Sequence, residues 1–231
     1  MSRFLEDINL RDKTKIFEDR IDAGRKLSYF LSDYKSTNSI ILAIPSGGVP
    51  IGRELKEFLS VEFELLIVRK IQIPWNPEAG FGAMNLDGDV ILNETLLRYL
   101  ELSEDEIKNQ IEKTKEILTK RDKLFREGKS FPSLENKTAI VVDDGIASGY
   151  TMLAGIEYVK KRNPDKIIIA VPTGSLRTIK KLSKFVDFIY CLNIRESYPY
   201  AVADAYKNWY DISDEEVLKI LRYDTINKKG E

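Results

Sequence analysis

Ala139-Ile140-Val141-Val142-Asp143-Asp144-Gly145-Ile146-Ala147-Ser148-Gly149-Tyr150-Thr151 decides how this chain folds. An unbroken apolar run enters the segment, the pattern of a strand covered on both faces, as in a parallel sheet. Two carboxylates close the run. A loop of small residues follows, and from Gly149 to Lys161 the pattern is helical. A strand, a Gly-rich turn and a helix make half of a βα repeat. The fold therefore turns on whether the repeat recurs.

It does recur. Short apolar runs rich in β-branched residues predict strands at 39–44, 65–68, 90–92, 139–142, 166–171 and 188–192. Helical periods lie between them, at 16–34, 50–59, 149–161 and 175–184. Ser103 with Glu106 and Ser213 with Glu216 have capping-box spacing, which predicts a long charged helix towards Gly128 and a last helix at 213–221. This alternation predicts an α/β fold, a three-layer α/β/α, doubly wound and mainly parallel sheet. Ligands of such sheets bind beyond the carboxyl ends of the strands.

Composition narrows the chemistry. The 231 residues contain 36 basic and 37 acidic side chains, a net charge of −1, so nucleic acid is not an expected partner. No apolar stretch reaches the ~20 residues that span a bilayer. The polar first twenty residues do not resemble a signal peptide, and the expected location is cytoplasmic. The chain has no histidine, which removes Ser-His-Asp and Cys-His catalysis and His-based metal sites. The single cysteine, Cys191, sits between Tyr190 and Leu192 and reads as a core thiol. Chemistry must come from carboxylates, Lys and Arg, hydroxyls, backbone amides or a metal held by oxygen.

Two strand ends offer that chemistry. In 143–151, Gly145 and Gly149 permit backbone geometry that other residues resist. Amides there, with the Ser148 and Thr151 hydroxyls, can hold a phosphate at a helix start. Asp143 and Asp144 would repel a phosphate at contact. They suit a polyol such as ribose, or hydrated Mg²⁺. A plain βα turn explains the glycines, but not the coincidence of acid pair, glycines and hydroxyls after one apolar strand. Ile44-Pro45-Ser46-Gly47-Gly48-Val49 repeats the logic after the first predicted strand. Arg69 and Lys70 follow the second. Cations at a strand end are often only solvated, yet here they could add positive charge to an anion site.

The acid pair and loop resemble the 5-phosphoribosyl 1-pyrophosphate (PRPP) signature of type I phosphoribosyltransferases, in particular an uncharacterised bacterial and archaeal subgroup. The resemblance implies a phosphoribosyltransferase-type sheet with a small hood. It implies that Asp143 and Asp144 hold the ribose hydroxyls with Mg²⁺ nearby, as both catalytic and metal-binding residues. Ala147, Ser148, Gly149, Tyr150 and Thr151 would cradle the 5-phosphate. Ser46, Gly47 and Gly48 would form the pyrophosphate loop, with a non-proline cis peptide expected at Ser46-Gly47. Two departures matter. Many relatives carry Arg or Lys where Ser46 stands, so Arg69 and Lys70 become the expected catalytic cations for pyrophosphate. Purine-salvage members often carry Asp where Ala147 stands, which argues against hypoxanthine-guanine chemistry.

The remaining expectations concern the rim. Residues 71–88, with Pro74, Trp75, Pro77 and Phe81, read as a long functional loop, either a lid or a loop that Trp75 and Phe81 anchor down. Tyr198 and Tyr200 are candidates to stack on a planar base. Tyr206 and Trp209 are expected to pack the last helix onto the sheet. One domain over 1–231 is expected, with its core at about 36–192 and a hood from N-terminal residues and about 193–231. The implied activity is Mg²⁺-dependent transfer of 5-phosphoribosyl from PRPP to a nitrogenous small-molecule acceptor, by a homodimer as the family default. Two other readings stay open: a PRPP-binding regulator without catalysis, and a hydrolase of a phosphorylated sugar.

Overall fold

The computed structural model describes residues 3–227. Its main sheet contains β1 (Phe4–Leu5), β2 (Ser39–Ala43), β3 (Glu62–Leu65), β7 (Thr138–Val142), β8 (Lys166–Ser175) and β9 (Phe188–Arg195). The spatial order is β1-β9-β8-β7-β2-β3, and every pairing is parallel. The α/β fold predicted from the alternation is therefore present. The sheet also takes in Phe4 and Leu5, so the core begins well before residue 36. A two-residue strand carries too short a period to be seen in sequence.

The strands divide their side chains between two faces. Ala139, Val141, Ile167, Ile169, Val171, Ile189 and Cys191 pack on one side with α5 (Tyr150–Lys160) and α6 (Leu176–Leu182). Ile140, Val142, Ile168 and Ala170 pack on the other with α1 (Arg20–Phe30) and α2 (Gly48–Leu59). Successive residues of a strand point to opposite faces, so continuous apolar runs are what a sheet with two covered faces needs.

Between β3 and β7 the chain builds a second unit. Strands β4 (Val68–Ile73), β5 (Asn76–Asn85) and β6 (Val90–Leu92) form an antiparallel sheet, followed by α3 (Glu94–Leu100) and α4 (Glu104–Arg126). The loop expected at 71–88 is thus mostly a β-hairpin. Its glycines serve close packing. A Cβ on Gly80 would lie 2.2 Å from Lys70 Cγ, and one on Gly82 would lie 2.5 Å from the Ile91 carbonyl oxygen. The strand expected at 65–68 is in fact the junction between the two sheets. Leu65, Leu66, Ile67 and Val68 are all buried, so hydropathy marks no boundary there. A third apolar cluster joins Ile71, Phe81 and Met84 of the hairpin to Leu118 and Phe125 of α4 and Val217 of α7 (Asp214–Asn227). Both expected capping boxes form, at Ser103 with Glu106 and Ser213 with Glu216.

Candidate active site

The loop after β7 is fixed on several sides. Ile146 bonds to β8 through its amide to Thr173 O (3.0 Å) and its carbonyl from Ser175 N (3.2 Å). The Thr178 hydroxyl donates to the Ala147 carbonyl at 2.6 Å. Gly149 caps α5 with φ 80°, a conformation that favours glycine, and a Cβ there would lie 2.6 Å from Thr178 Cγ2. Gly149 is therefore demanded by geometry, and these hydrogen bonds fix the loop to β8 and α6 at the start of α5.

Asp143 and Asp144 stand at the carboxyl end of β7. The Asp144 amide donates to Asp143 Oδ1 at 2.8 Å. Burial and the neighbouring Asp144 charge push the Asp143 carboxyl well above the usual carboxylate range. Burial also raises Asp144, but Arg20 opposes that shift. Arg20 lies on the inner face of α1, its side chain only 7% exposed. Its Nε and Nη2 both approach Asp144 Oδ2 at 2.9 Å, and its Nη1 donates to the Tyr210 carbonyl at 2.8 Å. The guanidinium lies 3.9 Å from the centre of the Trp209 ring. Tyr206 Oη donates to the Asp144 carbonyl at 2.6 Å. Tyr206 and Trp209 thus pack against Phe17 and Arg20, while the last helix, α7, packs through Val217 on the cluster of Ile71, Phe81 and Leu118. The planar guanidinium supplies the face on which the indole stacks.

The loop after β2 packs onto the acid pair. A Cβ on Gly47 would lie 2.0 Å from Asp144 Oδ2, and one on Gly48 would lie 2.6 Å from the Val142 carbonyl oxygen. The cis bond of this loop is Pro45-Ser46, one residue before the expected Ser46-Gly47. Gly47 already has helical dihedrals at the start of α2 (φ −62°, ψ −35°). Arg121 of α4 donates to Ser46 Oγ at 3.3 Å and pairs with Asp214 of α7.

Arg69 and Lys70 are adjacent on β4 and so diverge. Burial lowers both below their ordinary values; the nearby Arg121 charge lowers Arg69 further. Lys70 crosses Gly80, donates to the Glu78 carbonyl and lines a cleft of about 510 Å³. That cleft is walled by Lys70, Glu78, Ala79, Gly80 and Gly82 of the hairpin on one side and by residues 143–152 on the other, with Val202. All of Asp143, Asp144, Ala147, Ser148, Gly149, Tyr150 and Thr151 lie in its wall. Gly47 and Gly48 pack on Asp144 and Asp143 of that wall, whereas Ser46 bonds to Arg121 and neither Ser46 nor Arg69 is in the wall. Tyr198 and Tyr200 are not in the wall. Tyr198 is 96% exposed, whereas Tyr200 is mostly buried and its hydroxyl donates to Thr173 Oγ1 at 3.3 Å. A groove of similar size, about 530 Å³, opens at the amino ends of β2 and β3 and has neither Gly-rich loop.

Sequence reasoning missed Arg20 and Arg121, although each left a signal. Arg20 shares the buried face of α1 with Ala23, Gly24 and Leu27. Arg121 falls on the inward stripe of α4 formed by Ile107, Ile111, Thr114, Leu118 and Phe125. A cation on an apolar stripe marks a buried anion partner or a site.

Among the described residues, no group of three or more His, Cys, Asp or Glu could hold a metal ion. The carboxylates in the cleft wall are Asp143 and Asp144 at the strand end, with Glu78 on the facing hairpin. The Asp143 and Asp144 pair fits Mg²⁺, which takes one or two protein carboxylates and completes its shell with water and substrate phosphates. No helix among the described residues is long and apolar enough to cross a membrane.

Comparison with known proteins agrees with this geometry. Two Mycobacterium tuberculosis proteins (strains CDC 1551 and H37Rv), each named "putative phosphoribosyl transferase", are 34% identical over 208 residues. That match covers 90% of this chain and 46% of theirs, so the chain spans about half the length of these relatives. The crystal structure of TT1426 from Thermus thermophilus is similar with a TM-score of 0.70 at 28% identity, over 89% of this chain and 97% of that one. The model of the phosphoribosyl transferase domain family matches residues 13–205. By that match, the chain belongs to the phosphoribosyl transferase domain family.

Proposed function

We propose that this protein binds PRPP and transfers its 5-phosphoribosyl group to a nitrogen of a small-molecule acceptor, releasing pyrophosphate, with Mg²⁺ as cofactor. One observation carries the reading. The acid pair and the phosphate-sized loop line a single cleft at the carboxyl end of the sheet, opposite the hairpin that carries Lys70.

Each part of the ligand finds matching chemistry. The amides of 147–151 and the start of α5 suit a phosphate dianion. Asp143 and Asp144 accept hydrogen bonds from ribose hydroxyls. Ser46, Gly47 and Gly48, with Arg121 on Ser46 and Arg69 near the Arg121 charge, suit the diphosphate. In this reading Arg121 of α4, which donates to the Ser46 hydroxyl, takes the place of the cation that Ser46 lacks. Mg²⁺, held by Asp143 or Asp144 and by the ligand, would offset diphosphate charge. In the transfer, a bond forms from the acceptor nitrogen to C1 as the C1–O bond to diphosphate breaks, the bonding pair leaves with diphosphate, and the acceptor N–H proton passes to diphosphate or solvent. Positive charge grows on the sugar and negative charge on the leaving group. The protein contributes positioning and fixed cations, which is why histidine is dispensable. Ala147 offers no carboxylate to the acceptor, which speaks against the purine-salvage pattern.

Calorimetric titration of PRPP with and without Mg²⁺ tests the reading. Saturable binding strengthened by Mg²⁺ is expected, lost or weakened at least tenfold in Asp144→Asn. Absence of binding in both conditions refutes the assignment. Binding unchanged in Asp144→Asn refutes the ribose role of that residue.

A further inference from the structure

We propose that Arg20 is a positioning residue for Asp144, and that its stack on Trp209 ties this carboxylate to the 206–210 tail. The proposal rests on the PRPP reading above and assigns a role to side chains which that reading leaves unused.

The geometry is specific. Arg20 spends two donors, Nε and Nη2, on the same oxygen, Asp144 Oδ2, both at 2.9 Å. Gly47 presses on that oxygen from the α2 side, where a Cβ would come within 2.0 Å. Oδ2 is therefore clamped between helix α2 and the guanidinium. Oδ1 takes no part in these bonds with Arg20, and the carboxyl also interacts with that of Asp143 beside it in the cleft wall. The Tyr206 hydroxyl holds the same residue by its carbonyl at 2.6 Å. Asp144 is thus fixed at both side chain and backbone by residues from the two ends of the chain.

Charge gives a second reason. Asp143 and Asp144 together would place two carboxylates beside a polyanionic ligand. Arg20 offsets one of them from behind, with its own side chain nearly sealed from solvent. A buried arginine on an apolar helix face is costly unless its charge and donors are matched. Here three donors are matched, two by Asp144 and one by the Tyr210 carbonyl, and one face is covered by Trp209. With the guanidinium 3.9 Å from the Trp209 ring centre, the indole is placed to report a change at Arg20. A hydroxyl arriving on Asp144 would be felt at the indole through one intervening side chain.

The chain has two tryptophans, so Trp75→Phe leaves Trp209 as the sole reporter. PRPP with Mg²⁺ is titrated into this protein and into its Arg20→Met and Arg20→Lys forms, following Trp209 emission and heat together. The single-tryptophan protein is expected to show a saturable emission change with the calorimetric midpoint. Arg20→Met should bind at least tenfold more weakly and lose the emission change. Arg20→Lys restores a charge near Oδ2 without the planar face. It should recover part of the affinity but little of the emission change. Should Arg20→Met fail to fold by circular dichroism, Arg20→Lys decides: affinity and emission both equal to the parent overturn the proposal. Unchanged or tighter binding by folded Arg20→Met also overturns it, because Arg20 would then be structural, or a plug on Asp144. If the parent protein binds no PRPP by heat or emission, the functional reading falls and this proposal with it. Parent binding with unaltered variants sinks this proposal alone.

Discussion

Gly47→Ala sets two effects of opposite sign against each other. Gly47 has helical dihedrals (φ −62°, ψ −35°), so alanine fits the backbone. It should stabilise by about 0.5–1 kcal/mol through a less flexible unfolded chain. Against this, the new methyl would lie 2.0 Å from Asp144 Oδ2 and 2.4 Å from its Cγ, well inside any real contact. Retreat of the helix is resisted, since it would unpack Ile51 and Leu55 of α2 from Leu27 of α1 and from the sheet. The Asp144 carboxylate must therefore rotate out from between Gly47 and Arg20. At least one charge-assisted hydrogen bond is lost, at about 1.5–3 kcal/mol. Loss of the whole pair approaches the roughly 3–5 kcal/mol of a broken buried ion pair. With Arg20 and Asp144 only 7% and 14% exposed, solvent offers little relief. The clash should win, with net destabilisation of about 1–3 kcal/mol. For a chain of this size that is roughly 2–12 °C in Tm. Urea unfolding and a thermal scan measure it. In an Arg20→Met background the cost should shrink, because Asp144 is no longer held, and a coupling energy of at least ~0.5 kcal/mol is expected from the cycle. A Gly47→Ala protein as stable as its parent would refute the claim that Gly47 and Arg20 clamp Asp144 between them.

Two further outcomes follow from the same site. The Asp143 carboxyl is raised by burial and by Asp144, so the folded state holds its proton more firmly than the unfolded chain does. Its contribution is full below the unfolded pKa near 3.9 and declines as pH rises through the raised folded value. Asp143→Asn should therefore raise the Tm of ligand-free protein at pH 7 more than at pH 4; equal shifts at both would show that Asp143 is not strained by its surroundings. Arg121→Ala removes the cation beside Ser46. It should weaken binding of PRPP at least tenfold while leaving ribose 5-phosphate, which lacks the diphosphate, within about twofold. A matching loss for both ligands in calorimetry would place Arg121 outside the diphosphate subsite.

Sequence by itself determined the parts in which local pattern and chemistry coincide. The apolar run 139–142 is a doubly covered strand because both faces of β7 carry helices, and every residue of the run is buried. The acid pair, Gly149 and the start of α5 are contiguous, so their spacing alone described the loop. The hairpin was hidden for the converse reason. Leu65, Leu66, Ile67 and Val68 pass from one sheet to another without a polar break. Gly80 and Gly82, which read as loop residues, are strand residues with another chain segment pressed against them. Tertiary structure alone decided where the site finds its cations. Arg20 meets Asp144 across 124 positions, and Arg121 meets Ser46 across 75. An apolar helical stripe shows that a cation on it must be matched, but the matching anion lies on another element. Only packing of the helices on the sheet brings the two together.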